Sequence, residues 1–405
     1  MKALDDIRVI DLSHVLAAPF CTMMLADMGA EVIKIEPPSG DDSREFGPFF
    51  EPDEKGDEQS GYFVSLNRNK KSTSINLKTE EGKEILRKLI AGADVVVENF
   101  RPNTMKKLGF SYEEIKEIKS DIIYCSICGF GHDALPEYAT KPAYDMVAQA
   151  YSGLMSITGP KGGPPCRVGT SVGDIVAGHQ AAIGILSALW HREKTGEGQH
   201  VDISMVDGLV SILENAISRY TIKGEVPEPL GTAHPNIAPF QSFPTKDDYI
   251  ITPIGNDGLW EKFCEAIGKE ELVDHPKFKD NRLRCENLDE LVSRLEEVMK
   301  TKTTEEWIEI FEESGLPYSP LNRIDDVVDD DNINYRNMIE EVEQPDLGKV
   351  EVTGSPFKLS KTPGEVETHA PKLGEHNEEV LTELLDYSQQ EVEKLKENEV
   401  LNEPK

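Results

Sequence analysis

The sequence is poor in cysteine, in basic residues and in long apolar runs, and each shortage excludes a class of protein. Six cysteines in 405 residues are too few for a disulfide-rich secreted scaffold. Lysine and arginine total 43 against 75 acidic residues, which gives a formal net charge of −32. A charge of this sign and size repels nucleic acids and anionic membrane surfaces, so neither is expected as a partner. It also fits a high-salt environment, where screening relieves the self-repulsion.

Targeting and membrane segments are not evident. No run approaches the roughly 18 apolar residues that span a bilayer. Met1–Asp6 carry charges and lead into no apolar core of a secretory signal. The expected location is therefore the cytoplasm.

Nucleotide and metal motifs are also missing. The sequence contains no Gly-x-Gly-x-x-Gly, no Gly-x-x-x-x-Gly-Lys and no His-x-x-x-His pattern, which argues against dinucleotide, triphosphate and zinc sites. Cys125 and Cys128 have the spacing of a metal or redox motif, but no second pair accompanies them and they lie in an apolar run. They are expected to be buried strand thiols. We predict no metal site and no permanently bound cofactor.

Strand and helix patterns alternate through the first 130 residues. This alternation predicts an α/β fold with a parallel sheet. Ligands of open parallel sheets bind at the carboxyl ends of the strands. Asn99 and Phe100 end one predicted strand and are therefore candidate site residues. The expected strands are 7–12, 31–35, 93–100, 121–127 and 199–203, with helices between them.

The composition changes near Glu225–Pro229 and again after Leu321. These changes predict three segments, 1–225, 226–321 and 322–405, of which the middle one is a smaller mixed domain. A helix pattern covers residues 205–220 before the first change.

Asp174 lies where a glycine-punctuated segment meets a long apolar helix pattern that begins at Ile175. Two interpretations compete at such a junction. The carboxylate is either the N-cap of the helix or a nucleophile at the positive end of the helix dipole. The local pattern favours the cap, because Asp is among the commonest N-cap residues.

A small set of lysines stands out in this acidic chain. Solvation explains most exposed lysines, whereas several that converge would bind an anion such as a phosphorylated cofactor. The set is Lys70, Lys71, Lys78, Lys106, Lys107 and Lys141.

Motifs spread over nearly the whole chain resemble those of class III CoA-transferases, which include formyl-CoA transferase and a branch acting on succinyl-CoA and other dicarboxylates. The motifs stand in family order, so together they are specific. They are Asp11-Leu-Ser-His-Val15, Gly29-Ala-Glu-Val-Ile-Lys-Ile-Glu36, Asn67-Arg-Asn-Lys-Lys-Ser72, Asp94-Val-Val-Val-Glu-Asn-Phe100, Ala143-Tyr-Asp-Met-Val-Ala-Gln149, Gly173-Asp-Ile-Val-Ala-Gly178, Lys194-Thr-Gly-Glu-Gly198 and Leu373-Gly-Glu-His376.

The resemblance implies a fold and an assembly. The large domain would be Rossmann-like and built from both ends of the chain, with the smaller α+β domain inserted between them. Two chains would interlock as an obligate homodimer.

The resemblance also implies a mechanism on Asp174. Its carboxylate would attack an acyl-CoA thioester, and transfer would proceed through aspartyl anhydride and aspartyl-CoA thioester states without metal or ATP. The helix end would keep Asp174 ionised. The positions that match substrate- or CoA-binding residues of the family are His14, Val15, Leu16, Ala17, Lys78, Asn99, Phe100, Lys107, Tyr144 and Asp145, with Lys141 in place of a family lysine one position later.

Departures from the formyl-CoA transferase pattern favour the dicarboxylate branch. Position 16 is Leu where that enzyme has a catalytic Gln, and Gly231–Asn236 replace its mobile glycine run. The Gly231–His234 stretch matches the dicarboxylate branch, which makes His234 a candidate. Arg167 is either a clamp for a distal carboxylate or a partner in a structural ion pair.

Three alternatives remain at this point: a formyl-CoA:oxalate CoA-transferase, a 2-methylacyl-CoA racemase and an inactive CoA-binding protein. The racemases share the fold but have a histidine where this chain has Tyr144, and tyrosine is a poorer proton shuttle at neutral pH.

Overall fold

The computed structural model describes residues 2–51 and 58–402, which fold as two compact units. The first consists of Met1–Leu154, Val168–Asn215 and Asp331–Lys405, and the second of Met155–Arg167 and Ala216–Asp330. These bounds differ from the predicted changes after residues 225 and 321. The short segment 155–167 contains the Gly- and Pro-rich stretch Gly159–Pro165, but its place in the second unit was not predicted.

Up to residue 215, helices and strands alternate as expected, and all of them except most of the helix Leu154–Ile157 belong to the first unit. They are β1 (Arg8–Asp11), α1 (Ala17–Asp27), β2 (Glu31–Glu36), α2 (Gly61–Asn67), β3 (Lys70–Ser74), α3 (Glu80–Ala91), β4 (Val95–Glu98), α4 (Thr104–Leu108), α5 (Tyr112–Ile118), β5 (Ile123–Cys128), α6 (Asp145–Tyr151), α7 (Leu154–Ile157), α8 (Val172–Thr195), β6 (His200–Ser204) and α9 (Met205–Ser211).

The remaining elements follow in chain order. They are α10 (Asn215–Lys223), β7 (Phe240–Pro244), β8 (Tyr249–Pro253), α11 (Asp257–Ala266), α12 (Asn281–Glu286), α13 (Leu288–Met299), α14 (Thr304–Glu313), β9 (Ser319–Pro320), α15 (Ile324–Asp329), α16 (Asp331–Tyr335), β10 (Ile339–Gln344), β11 (Gly348–Thr353), α17 (Asn377–Glu379) and α18 (Gln389–Glu397). Short 3-10 turns cover Asp42–Glu45 and Glu270–Leu272, and a π turn covers Val380–Leu384.

The first unit contains a six-stranded sheet in the order β3-β2-β1-β4-β5-β6, with every neighbouring pair parallel. This is the strand order of doubly wound, Rossmann-type sheets. The predicted α/β fold with a parallel sheet is confirmed. Strand order reverses between β1 and β4, and in such sheets the crevice at that point binds ligands.

Both faces of the sheet are covered. Alternate strand residues point to opposite faces, so Val9 and Val95 pack in one apolar cluster with α1, α8 and α9. Ile10 and Val96 pack in the other, with α3, α5 and α18. Strands buried on both faces explain the apolar runs in the sequence.

Helix α8 is long and apolar enough, by length and composition, to cross a membrane, so the expectation that no segment meets that criterion was wrong. In the structure it packs as a core helix against α1, β5, β6 and α9. Its buried residues are mostly small, and Gly178 lies against the first turn of α1. Such packing is typical of a globular core and gives little support to a membrane span.

The second unit has its own core. Strands β7, β8 and β9 form an antiparallel sheet, and helices α11, α13 and α14 pack their apolar residues around it. The indole of the buried Trp307 donates a hydrogen bond to Met299 O at 2.7 Å.

Two local features differ from the expected strands and helices. Residues 70–74 form strand β3, which was not predicted because Thr73 is the single residue of their Lys-Lys-Ser-Thr-Ser sequence that is typical of strands. The single helix expected at 205–220 is two helices, α9 and α10, separated at Glu214, whose φ of 51° is incompatible with a helix.

Candidate functional site

The turn after β1 and the turn after β4 are joined by one side chain. Asn99 accepts a hydrogen bond from His14 N and donates one to His14 O, both at 2.8 Å. The His14 and Phe100 rings stack with centroids 5.6 Å apart. His14, Asn99 and Phe100 therefore meet at the point where the strand order reverses, as predicted for carboxyl-end residues.

Asp174 occupies the third position of α8 and is not its N-cap. The N-cap is Ser171, whose side chain makes no capping hydrogen bond. The Asp145 carboxylate takes that role instead, since its Oδ1 accepts from Gly173 N at 2.8 Å. The cap interpretation of Asp174 was wrong, and its carboxylate is left free of the capping function.

Asp145 is itself fixed in place. Gln149 Nε2 donates to its second oxygen at 2.7 Å, and Gln149 Oε1 accepts from Val168 N at 2.9 Å. Gln149 thus links helix α6 to the segment that precedes α8. Two carboxylates, those of Asp145 and Asp174, lie at the N-terminus of α8.

Burial and, secondarily, the negative charge of Asp145 raise the pKa of Asp174 to about 7. The direction of this pKa shift is opposite to the one expected from the helix end, which would help to keep Asp174 ionised. A carboxylate with a raised pKa is more basic and, once ionised, more nucleophilic. Raised carboxylate pKa values in a cleft are typical of functional sites.

Helix α1 brings the turn after β1 towards Asp174. A Cβ on Gly178 would lie 2.7 Å from Ala17 O, so α8 touches the first turn of α1 there. Asp174 is one helical turn before Gly178 and on the same face. Asp174 therefore lies on the face of α8 that is directed towards the turn of residues 13–16. This turn contains Val15 and the buried Leu16.

Tyr62 belongs to this region, and the sequence analysis missed it. Burial, and then the charges of Asp174, Asp41 and Asp145, raise the pKa of Tyr62 to about 12. The phenol stays protonated at neutral pH and can donate a hydrogen bond. Its position after a polar loop gave no motif by which to find it.

The positions of the other predicted site residues say less about their roles. Lys78 and Lys107 are exposed on segments that follow β3 and β4. Lys141 lies over the Tyr138 ring at 3.8 Å. Tyr144 is 74% exposed before α6. Arg167 and His234 belong to the second unit, where His234 N donates to Phe240 O at 3.0 Å.

Two lysines of the basic set are not available to an anion. Lys70 is buried and paired with Asp11 at 3.1 Å, and Lys71 pairs with Glu31 and Glu379 at 2.8 Å. The alternative that the lysines of this set converge on an anion therefore does not hold for Lys70 and Lys71, which pair with carboxylates of the same unit.

Two patterns resemble other sites but have structural roles. Gly169-Thr-Ser171-Val-Gly173 matches the hydrolase elbow, yet no strand leads into Ser171, as that motif requires. Among the described residues, Cys128, His132 and Asp202 are close enough to hold a metal. Asp202 already accepts from the amides of His132 and Asp133, so the arrangement is that of a loop anchor.

Comparison with known proteins decides the family. The family model "CoA-transferase family III" matches residues 4–377. The chain belongs to this family. The family and relatives that match nearly the whole chain are named as CoA-transferases, so the chain is an enzyme, a CoA-transferase.

Relatives of known name cover almost the whole chain. It is 41% identical to the succinyl-CoA:mesaconate CoA-transferase of Haloarcula marismortui, covering 95% of this chain and 96% of the relative. It is 39% identical to the human succinyl-CoA:glutarate CoA-transferase, covering 98% and 89%. The crystal structure of a CAIB/BAIF family protein from Brucella suis superposes with a TM-score of 0.84 at 37% identity, covering 95% and 99%.

Replacing Asp145 by Asn should shift the pH dependence of CoA transfer. The amide still accepts from Gly173 N, but one negative charge that raises the pKa of Asp174 is gone. In the wild type, kcat/KM should fall as pH drops through about 7, and in Asp145→Asn this acid limb should move to lower pH. The exposed Glu80→Gln on α3 serves as the control. An unshifted limb would show that Asp145 does not act on the titrating group.

Proposed function

We propose that the enzyme transfers CoA from succinyl-CoA, or a related dicarboxylyl-CoA, to a second dicarboxylic acid, with Asp174 as the nucleophile. The observation that carries this proposal is a carboxylate with a pKa near 7 at the start of α8, on the side of the turn that follows β1. The substrate class is supported by the names of two relatives, which act on succinyl-CoA with mesaconate or glutarate.

The first half of the reaction converts Asp174 into a thioester. A carboxylate oxygen of Asp174 attacks the thioester carbonyl, the C–S bond breaks, and CoA leaves as a thiolate. The thiolate then attacks the aspartyl carbonyl of the mixed anhydride and releases the donor acid as its carboxylate. Asp174 now carries CoA.

The second half repeats these steps in the opposite sense. The acceptor carboxylate attacks the aspartyl thioester, forming a new anhydride and CoA thiolate. The thiolate attacks the acceptor acyl carbonyl, which gives the product acyl-CoA and regenerates the Asp174 carboxylate. Every intermediate is an activated acyl group, so the cycle requires no ATP, metal or permanently bound cofactor.

The surrounding residues have distinct parts in this proposal. Asn99 fixes the His14 turn with both ends of its amide, while Phe100 and His14 supply an aromatic surface for CoA. The exposed Lys78 and Lys107 offer positive charge to CoA phosphates. Leu16 and Ala17 form the wall of the turn beside the reacting acyl group.

An interlocked homodimer, with the second unit as an inserted domain, is part of the proposal, together with a cytoplasmic location. The first unit exposes apolar side chains on α6, α8 and α9 that a partner chain would cover. Ile183 and Trp190 on α8 are 64% and 65% exposed. The others are Met146, Val147, Tyr151 and Val210.

A donor–acceptor panel tests the proposed substrates. Succinyl-CoA is mixed with mesaconate, glutarate, oxalate or acetate, and CoA exchange is followed by chromatography. We expect transfer to the longer dicarboxylates at least about tenfold faster than to acetate, because a second carboxylate adds a charge-assisted contact. Equal rates with acetate, or loss of an α-proton to deuterated water without exchange, would contradict the proposal.

A further inference from the structure

The turn that carries His14 and Val15 is held in an unfavourable conformation. Val15 has a φ of 64°, in the left-handed region that a β-branched residue rarely adopts. Residues in such conformations persist only where their surroundings enforce them, and they cluster at functional sites. The contacts of this turn show what enforces it.

The Val15 amide is bound by a buried carboxylate from another segment. Val15 N donates to Asp41 Oδ1 at 3.1 Å, and the same oxygen accepts from Ser43 N at 2.8 Å. The other oxygen of Asp41 lies 2.8 Å from Lys34 Nζ, and both side chains are almost fully buried. Lys34 also donates to Ser13 O at 2.8 Å.

A second buried pair holds the other side of the turn. Asp11 Oδ1 accepts from Ser13 N at 2.9 Å, and Asp11 Oδ2 is paired with Lys70 Nζ. Two lysines and two carboxylates from β1, β2, β3 and the segment after β2 thus converge on Ser13–Val15. A buried ion pair costs desolvation and adds little net stability, so stability alone does not account for these two pairs.

We propose that Asp41, charged and oriented by Lys34, is a positioning residue that holds the Val15 turn in its left-handed conformation for CoA transfer. The proposal rests on the proposed function, since the turn lies beside Asp174 and carries His14. With Asp41 in place, the turn is organised before substrate arrives. Without the acceptor for Val15 N, the turn relaxes, and catalysis loses orientation while the chemistry at Asp174 remains possible.

A matched pair of double variants tests this role. Removing Asp41 alone would leave Lys34 as an uncompensated buried charge, and the protein could fail to fold. Both variants therefore carry Lys34→Met, which removes that charge. One adds Asp41→Ala, which deletes the acceptor for Val15 N, and the other adds Asp41→Asn, which keeps an acceptor oxygen of the same size.

Two readouts are compared between the variants. Hydrogen exchange of the Val15 amide should be at least about tenfold faster in the Ala variant than in the Asn variant. The kcat of CoA transfer should be at least about tenfold lower in the Ala variant, measured well below the melting temperatures of both variants. Equal Val15 exchange in the two variants would overturn the positioning role.

The exchange readout does not depend on the identity of the reaction. If the substrate panel fails but Val15 exchange differs as expected, the proposed function is wrong and the buried network still holds the turn. If exchange differs and kcat does not, the turn is held by Asp41 but the positioning claim is overturned.

Discussion

Replacing Asp174 by Asn abolishes CoA transfer on this account, while CoA still binds. The amide cannot form an anhydride, so the loss should be at least about 10³-fold in kcat, as for other essential nucleophiles. Asp207→Asn is the matched control, because Asp207 holds the same third position in α9 behind the N-cap Ser204. Transfer by Asp174→Asn near the wild-type rate would remove Asp174 from the mechanism.

The same substitution should stabilise the fold at alkaline pH. The pKa of Asp174 is raised from 3.8 to about 7 in the folded state, so its ionised form costs free energy of folding, on the order of 4 kcal/mol above pH 7. The cost shrinks as pH falls from 7 and vanishes below the unfolded pKa. Asp174→Asn should therefore melt at a higher temperature than wild type at pH 8, and most of this difference should be gone near pH 4, at equal protein concentration.

Gly178→Val should disrupt the contact between α1 and α8. The added Cβ would lie 2.7 Å from Ala17 O and 2.9 Å from the Phe20 ring. A backbone oxygen cannot rotate away, so the two helices must separate, at a cost of about 2–3 kcal/mol. Because α1 begins directly after the Val15 turn, transfer activity should fall as well.

Glu193→Val is the control for this prediction. Residue 193 is exposed on the same helix, so it introduces the same β-branched side chain without the clash. Urea unfolding of both variants and the wild type measures the difference. If Gly178→Val unfolds at the same urea concentration as Glu193→Val, close packing at Gly178 does not join the two helices.

The parallel sheet was predictable because its signals are local. Apolar runs such as 95–97 alternate with helix patterns, and a parallel sheet is what such alternation produces. Asn99 and Phe100 could be placed at its edge by the general rule for carboxyl ends of strands. The proposal that Asp174 is the nucleophile, by contrast, came from the family resemblance, since the residues around Asp174 favour a helix cap.

The parts that the sequence did not reveal depend on contacts between distant segments. Strand β3 has a polar sequence because Lys70 faces Asp11, 59 residues away. The cap of α8 comes from Asp145, 28 residues before Gly173. Tyr62 belongs to no motif, and although Gly40–Arg44 resembles the dicarboxylate branch, nothing in that stretch links Asp41 to Val15. The proximity of Asp41 to the Val15 turn, and of Tyr62 to Asp174, exists only in the folded chain. The periodicity of hydrophobic residues and the amino-acid composition contain no information on contacts between residues that are far apart in the sequence.

Trapping the covalent intermediate tests the central claim most directly. The enzyme is incubated with succinyl-CoA and hydroxylamine, digested and analysed by mass spectrometry, with Asp174→Asn treated in parallel. Hydroxylamine attacks both an anhydride and a thioester, so the account predicts a hydroxamate on Asp174 that requires succinyl-CoA. An unmodified Asp174 under conditions of continuing CoA transfer, or a hydroxamate on another carboxylate, would contradict it.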